Sequence, residues 1–177
     1  MSAKARYSIP QIAIHSLMVL LIVLLFAVGL SVDFFDKPVR PTVINLHALG
    51  GLLVLLLMLP RLLLRYALPT PPYPSNMGPR FVAVAKFGHA ALYTLMIVVP
   101  LIGIPTFLLH GNPLNLFFTQ IPSPFAANHD LSEQFLAAHQ LAAYALILLA
   151  LGHTLTALFH QFVLRDNLIA RIDPSTK

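Results

Sequence analysis

The sequence predicts an all-α, integral membrane four-helix bundle with its N-terminus and C-terminus both cytoplasmic. Three observations carry this: a composition too apolar for a water-soluble domain, four apolar segments of spanning length, and cations confined almost wholly to one set of connections. Of the 177 residues, 58% are hydrophobic and 10% charged, whereas a soluble domain carries about 25% charged residues. That length allows one transmembrane domain over residues 1–177, with little left for a soluble one.

A spanning helix needs roughly 20 mostly apolar residues. The first candidate runs from about residue 10 to 32, behind Lys4 and Arg6. Its apolar core is too long for the h-region of a signal peptide and no small-x-small cleavage site ends it, so it reads as a retained anchor. The second covers about 42–64, the third about 82–109 and the fourth about 134–164. The connections "VDFFDKPVRP", "LPTPPYPSNMGP" and "HGNPLNLFFTQIPSPFAANHD" are rich in Pro, Asn and Gly, the residues that interrupt helices. Pro60, Pro100 and Pro105 fall inside helices 2 and 3, where neighbouring helices can satisfy the carbonyls they free.

With the N-terminus inside, the inner segments hold Lys4, Arg6, Arg61, Arg65, Arg80, Lys86, Arg165, Arg171 and Lys177. The outer segments hold only Lys37 and Arg40, beside Asp33, Asp36, Asp130 and Glu133. Cations gather on the cytoplasmic side of membrane proteins, which sets the orientation. The net charge of +5 is therefore a matter of sidedness and calls for no nucleic acid. The absence of cysteine excludes c-type haem attachment, cysteine-held iron–sulfur clusters, disulfides and thiol chemistry.

Histidine is the unusual residue: eight of them, against six acidic residues. His15 and His89 lie near the inner ends of helices 1 and 3, and His47 near the outer end of helix 2. Helix 4 carries His139 near its outer end, His153 deeper and His160 near the inner surface; His110 and His129 belong to the outer loop. The fourteen residues from His139 to His153 advance about 21 Å and return to within about 40° of one face. His160 follows seven residues later on the same stripe. By depth, His47 pairs with His139 and His15 with His153. Two opposed imidazoles at one level suit axial ligation of haem iron from both sides, and two stacked pairs would hold two haems in series.

The competing readings are histidines bonded to a neighbouring helix, a proton or cation path, and structural zinc. Helix-core carboxylates, which a proton or cation path normally shows, are missing from the four apolar segments. No close His/Asp/Glu cluster favours zinc. Gly29, Gly50, Gly51, Gly88 and Gly152 are small positions that admit either a flat macrocycle or a closely packed helix.

These residues resemble the bacterial cytochrome b561 family, four-helix dihaem membrane proteins that include a superoxide:ubiquinone oxidoreductase. The resemblance covers nearly the whole chain. It lies in "IAIH", "INLHALGG", "RLLLR" with "PTPP", "FGHAALY", "HGNP", and "AAHQLAAYALILLALGH" through to "RDN". The chain is similar, more distantly, to the cytochrome b subunits of formate dehydrogenases and nickel–iron hydrogenases. The resemblance implies two haem b groups, the outer held by His47 and His139 and the inner by His15 and His153. It also implies ubiquinone as electron acceptor, with His89 and His160 lining an inner quinone pocket. Arg61 and Arg65, one turn apart at the inner end of helix 2, are candidates for the inner haem propionates or the quinone headgroup; snorkelling to lipid phosphate is the alternative.

The expectation is a multi-pass cytochrome of the bacterial inner membrane that passes electrons from an outer donor through two bis-histidine haems to ubiquinone, an oxidoreductase of the superoxide oxidase type. A site that draws superoxide should offer positive charge. The outer segments instead count two basic residues against four acidic ones, so superoxide, a small carrier and a partner protein all remain as donors. A cytochrome b subunit of a larger complex and a non-redox histidine-lined transporter are the alternatives.

Overall fold

The computed structural model describes residues 6–74, 77–166 and 168–172. Lys4 and Lys177 of the sidedness count, and Asn167 of the "RDN" motif, lie outside the described residues. Four long helices make up the molecule: α1 Ile9–Ser31, α2 Arg40–Ala67, α3 Pro79–Leu109 and α4 His129–Phe159. All are long and apolar enough to cross a membrane. Prolines start three of them: Pro10, Pro41 and Pro79 sit in the first two positions of α1, α2 and α3. Proline is at home there, because its missing N–H would be unpaired in any case.

The fourth helix starts earlier than its apolar stretch. Asn128 caps it, its side chain accepting from the Leu131 N–H at 3.0 Å. Asp130 stands in the first turn, where a negative charge is favoured by the helix dipole. His129, Asp130 and Glu133 therefore belong to a helix rather than to the outer loop. That corrects the expected start near residue 134: capping chemistry, not hydrophobicity, sets the boundary.

The α3–α4 connection is not wholly irregular. Leu114–Asn115 (β1) pairs antiparallel with Gln120–Ile121 (β2). Asn45 of α2 clamps this hairpin like a strand edge, its side chain donating to the Asn115 carbonyl at 2.9 Å and accepting from the Asn115 N–H at 2.8 Å. The last carbonyls of α3, which lack helical partners, are taken by the connection and by α4. Ser132 Oγ donates to Thr106 O at 2.9 Å, Ser123 Oγ to Leu108 O at 2.8 Å and Asn128 N to Leu109 O at 2.9 Å.

We call this the hairpin end, and the opposite one, which carries Arg61, Arg65, Arg80, Lys86, Arg165 and Arg171, the basic end. There Gln11 Nε2 donates to Leu64 O at 3.0 Å and Tyr7 N to Arg171 O at 3.1 Å, tying the chain before α1 to the segment after α4.

The packing is that of a lipid-solvated bundle. One layer formed by Met18, Val54, Met58, Met96 and Leu146 is buried, with a contribution from every helix. Large apolar residues such as Leu20, Leu56, Leu59, Leu141 and Leu148 point outward, which only a hydrocarbon surround makes favourable. Leu146 is seven residues from His139 and seven from His153. The buried layer thus lies about 10 Å along the axis from each. We call the two interior levels on either side of it the hairpin-end and basic-end chambers.

Candidate functional site

The hairpin-end chamber is built around His47 of α2 and His139 of α4. Their ring centres are 6.0 Å apart and their planes 82° apart. His139 Nδ1 lies 2.9 Å from Val99 O; when it donates there, Nε2 is left with a free lone pair. The glycines explain how the rings fit. A Cβ at Gly103 would stand 3.1 Å from the His139 imidazole, and one at Gly29 3.3 Å from His47 Cε1. A cavity of about 70 Å³ opens beside both rings, lined from all four helices by residues including Ile22, Leu25, Phe26, Val54, Met96 and Leu146.

This donor set fits a metal bound between two imidazoles. With metal–imidazole bonds of about 2 Å and each ring centre roughly 1 Å behind its nitrogen, the two centres stand roughly 6 Å apart. The lining offers no competing charged ligand. Apolar walls with two neutral imidazoles are what a bis-histidine haem requires.

The basic-end chamber holds three histidines. His153 of α4 faces His89 of α3, ring centres 5.1 Å apart and planes 74° apart. His15 of α1 lies within electrostatic range of Arg61, His153 and His89. His89 Nδ1 approaches Ala85 O of its own helix at 2.7 Å. A Cβ on Gly88 or Gly152, the neighbours of His89 and His153, would meet nothing within 4 Å. The space these glycines leave is open. Gly50 is different, because a Cβ there would run into the end of the Leu25 side chain, where α1 and α2 pack closely.

Arg61 lies over the Tyr93 ring at 5.4 Å. Its Nε is buried with no hydrogen-bond partner among the described residues, which leaves a donor for an anionic group. Arg65 interacts with Tyr7 at the bundle's edge, where burial pushes the Tyr7 phenol up against the opposing pull of Arg65.

His160 has a partner the sequence did not disclose. Past α4 the chain makes a π-helical turn, His160–Leu164; Arg165 then takes a left-handed conformation at φ 56° and brings Asp166 back. His160 Nδ1 and Asp166 Oδ2 are 2.5 Å apart, and both side chains are mostly buried. Apolar periodicity could not reveal this carboxylate, since it lies outside the helix and returns through backbone geometry. Only its place six residues after His160, in "RDN", hinted at it. Gly103 was also missed, because its role depends on the packing of α3 against α4. At the hairpin end, His110 at the close of α3 and His129 at the opening of α4 stack edge to face at 5.1 Å, apart from both chambers.

Comparison with known proteins places this arrangement. Residues 6–174 match the family model of prokaryotic cytochrome b561. The chain is 33% identical to a "probable superoxide oxidase" of Yersinia pestis, over 97% of this chain and 98% of that protein. It is 30% identical to a cytochrome b562 of Cereibacter sphaeroides, over 97% and 98% of the two chains. With cytochrome b561 homolog 2 of Escherichia coli it shares 27% identity, over 94% and 90%. A b-type cytochrome carries haem b and transports electrons, and four spanning helices make this a multi-pass protein of the bacterial inner membrane. The chain belongs to the prokaryotic cytochrome b561 family.

Proposed function

We propose that the protein is a dihaem oxidoreductase that carries electrons from a donor on the outer face to ubiquinone near the cytoplasmic face. The observation that carries this reading is the opposed pair His47 and His139, 6.0 Å apart beside an apolar cavity. Haem b, when bound, would supply a one-electron carrier between the donor and the quinone.

His47 and His139 would hold the outer group, and His15 and His153 the inner. Arg61, with its unpaired Nε, would take an inner propionate. The basic end faces the cytoplasm by the distribution of cations. His89 and His160 would line the quinone pocket there, and His160 would deliver a proton as the quinone is reduced, a role an imidazole can fill as general acid.

Superoxide is the donor to test first, in view of the Yersinia relative. Charge at the outer face argues for a protein donor as the second reading: Arg40 is engaged by Asp33 at 3.4 Å, leaving Lys37 among acidic neighbours. The experiment is to add superoxide, and separately a reduced periplasmic carrier, to purified protein with a soluble ubiquinone analogue. Quinol formation with either supports a free oxidoreductase and names the donor. A colourless preparation, or haem that reduces without ever passing electrons to quinone, refutes the reading.

A further inference from the structure

We infer that Asp166 is a positioning residue for quinone reduction: it fixes the tautomer and direction of the His160 ring so that Nε2 faces the pocket as a proton donor. The inference rests on the quinone reading above and adds a residue to it. Three features of the backbone converge on this one contact. The helix widens into a π turn at His160–Leu164, and the His160 carbonyl accepts both the Arg165 N–H and, at 3.2 Å, the Asp166 N–H. Arg165 occupies the left-handed region at φ 56°, a conformation disfavoured for a residue other than glycine. Strain of this kind persists where the surroundings demand it, and it gathers at functional sites, as π turns do.

The chemistry follows from the atom that is held. A carboxylate accepts only, so with Asp166 ionised the 2.5 Å contact places a proton on His160 Nδ1. Nε2 is then the one ring nitrogen able to exchange a proton with a ligand. When it carries a proton it gives that proton to a quinone oxygen, and the ring remains neutral with Nδ1–H still bound to Asp166. Two such deliveries, matched by two electrons from the outer donor, convert quinone to quinol. Between them Nε2 takes up a proton from cytoplasmic water. The second oxygen, Asp166 Oδ1, is buried with no hydrogen-bond partner among the described residues. As a buried acceptor it calls for a donor of its own, which would hold the carboxylate in place against Nδ1.

D166N tests the assignment, since it keeps the size of the side chain and removes the carboxylate. With ubiquinone analogue and an artificial donor, kcat should fall about 10–100-fold, the scale known for losing the partner that orients a metal-ligating imidazole, with KM nearly unchanged. Both haem bands should persist in the reduced spectrum, and D166E should recover part of the rate. The downfield Nδ1 proton signal of His160, seen with ¹⁵N-histidine labelling, should vanish in D166N. Placed in an H160A background, D166N should cost nothing further, because residues that act through one another are not additive. If H160A slows quinone reduction and D166N does not, the positioning role is overturned and the quinone reading stands. If neither slows it, the quinone reading fails first and takes this inference with it. Equal loss of haem in D166N and D166E would make the pair a structural clasp, which also overturns the proposal.

Discussion

The imidazoles of His47 and His139 face each other with ring centres 6.0 Å apart, and His139 is held in that pose by the Val99 carbonyl at 2.9 Å. Two histidines from different helices are thereby fixed at one level, with Gly29 and Gly103 leaving room for the rings. A second set, His15, His89 and His153, occupies the other chamber. The two chambers should respond independently to substitution.

His139→Ala should remove one of two haems, and His153→Ala the other. A pyridine haemochrome assay should read about half the haem per chain in either variant, consistent with one ligand pair lost from each. Low-temperature difference spectra should show a different component missing in each. Loss of the same component from both would refute the two-chamber assignment.

Gly103→Ala should disturb the hairpin-end haem alone. The new methyl would stand 3.1 Å from an imidazole that is already hydrogen-bonded and cannot easily turn away. Overpacking of this kind typically costs about 1–3 kcal/mol. Lower occupancy or a shifted band of that component should appear, while Gly78→Ala, whose methyl would meet Phe81 at 3.9 Å, should leave the spectrum unchanged.

Removal of haem should lower the melting temperature, because a ligand that binds only the folded chain stabilises it by mass action. The bundle is open to this effect, as few of its residues are buried apart from the layer around Met18 and Leu146. Thermal unfolding in detergent, followed by circular dichroism with and without haem, would check it. Coincident transitions would count against haem as a structural element.

Arg61→Gln should lower the potential of the basic-end haem. The guanidinium lies near His15 and His153, and a nearby positive charge favours the reduced, less positive form of the iron. Losing it favours the oxidised form by an amount on the order of tens of millivolts, where 59 mV is a tenfold change for one electron. A redox titration resolving two components should show one falling and the other fixed.

The first three helices were legible because their apolar runs are of spanning length between Pro-rich connections; Pro41 and Pro79, counted with those connections, prove to open α2 and α3. The start of α4 was not, because "NHDLSEQ" is polar and reads as loop unless Asn128 and Asp130 are weighed as cap and first turn. Histidine depth could be counted along each helix from the sidedness of the cations. The neighbour of His153 could not, since His15 and His89 share the basic end and only the packing of α3 against α4 brings the His89 ring to 5.1 Å. Asp166 was out of reach for a different reason. Its approach to His160 depends on a left-handed residue after a π turn, and periodicity describes neither.

With haems held at the levels of His139 and His153, as proposed, the fourteen-residue interval between them, with Leu146 midway, would make the bundle responsive to voltage. An electron moved between those levels is displaced about 21 Å along the helix, roughly 70% of a hydrocarbon core of about 30 Å. A full crossing exchanges about 2.3 kcal/mol per 100 mV of transmembrane potential. The transfer from one chamber to the other therefore works against, or draws on, about 1.6 kcal/mol per 100 mV, roughly a fifteenfold shift in equilibrium. In the proposed orientation, with the basic end inside and the interior negative, inward electron flow would oppose the field. An energised membrane would hold electrons back on the outer side, and a collapsed potential would release them towards the quinone.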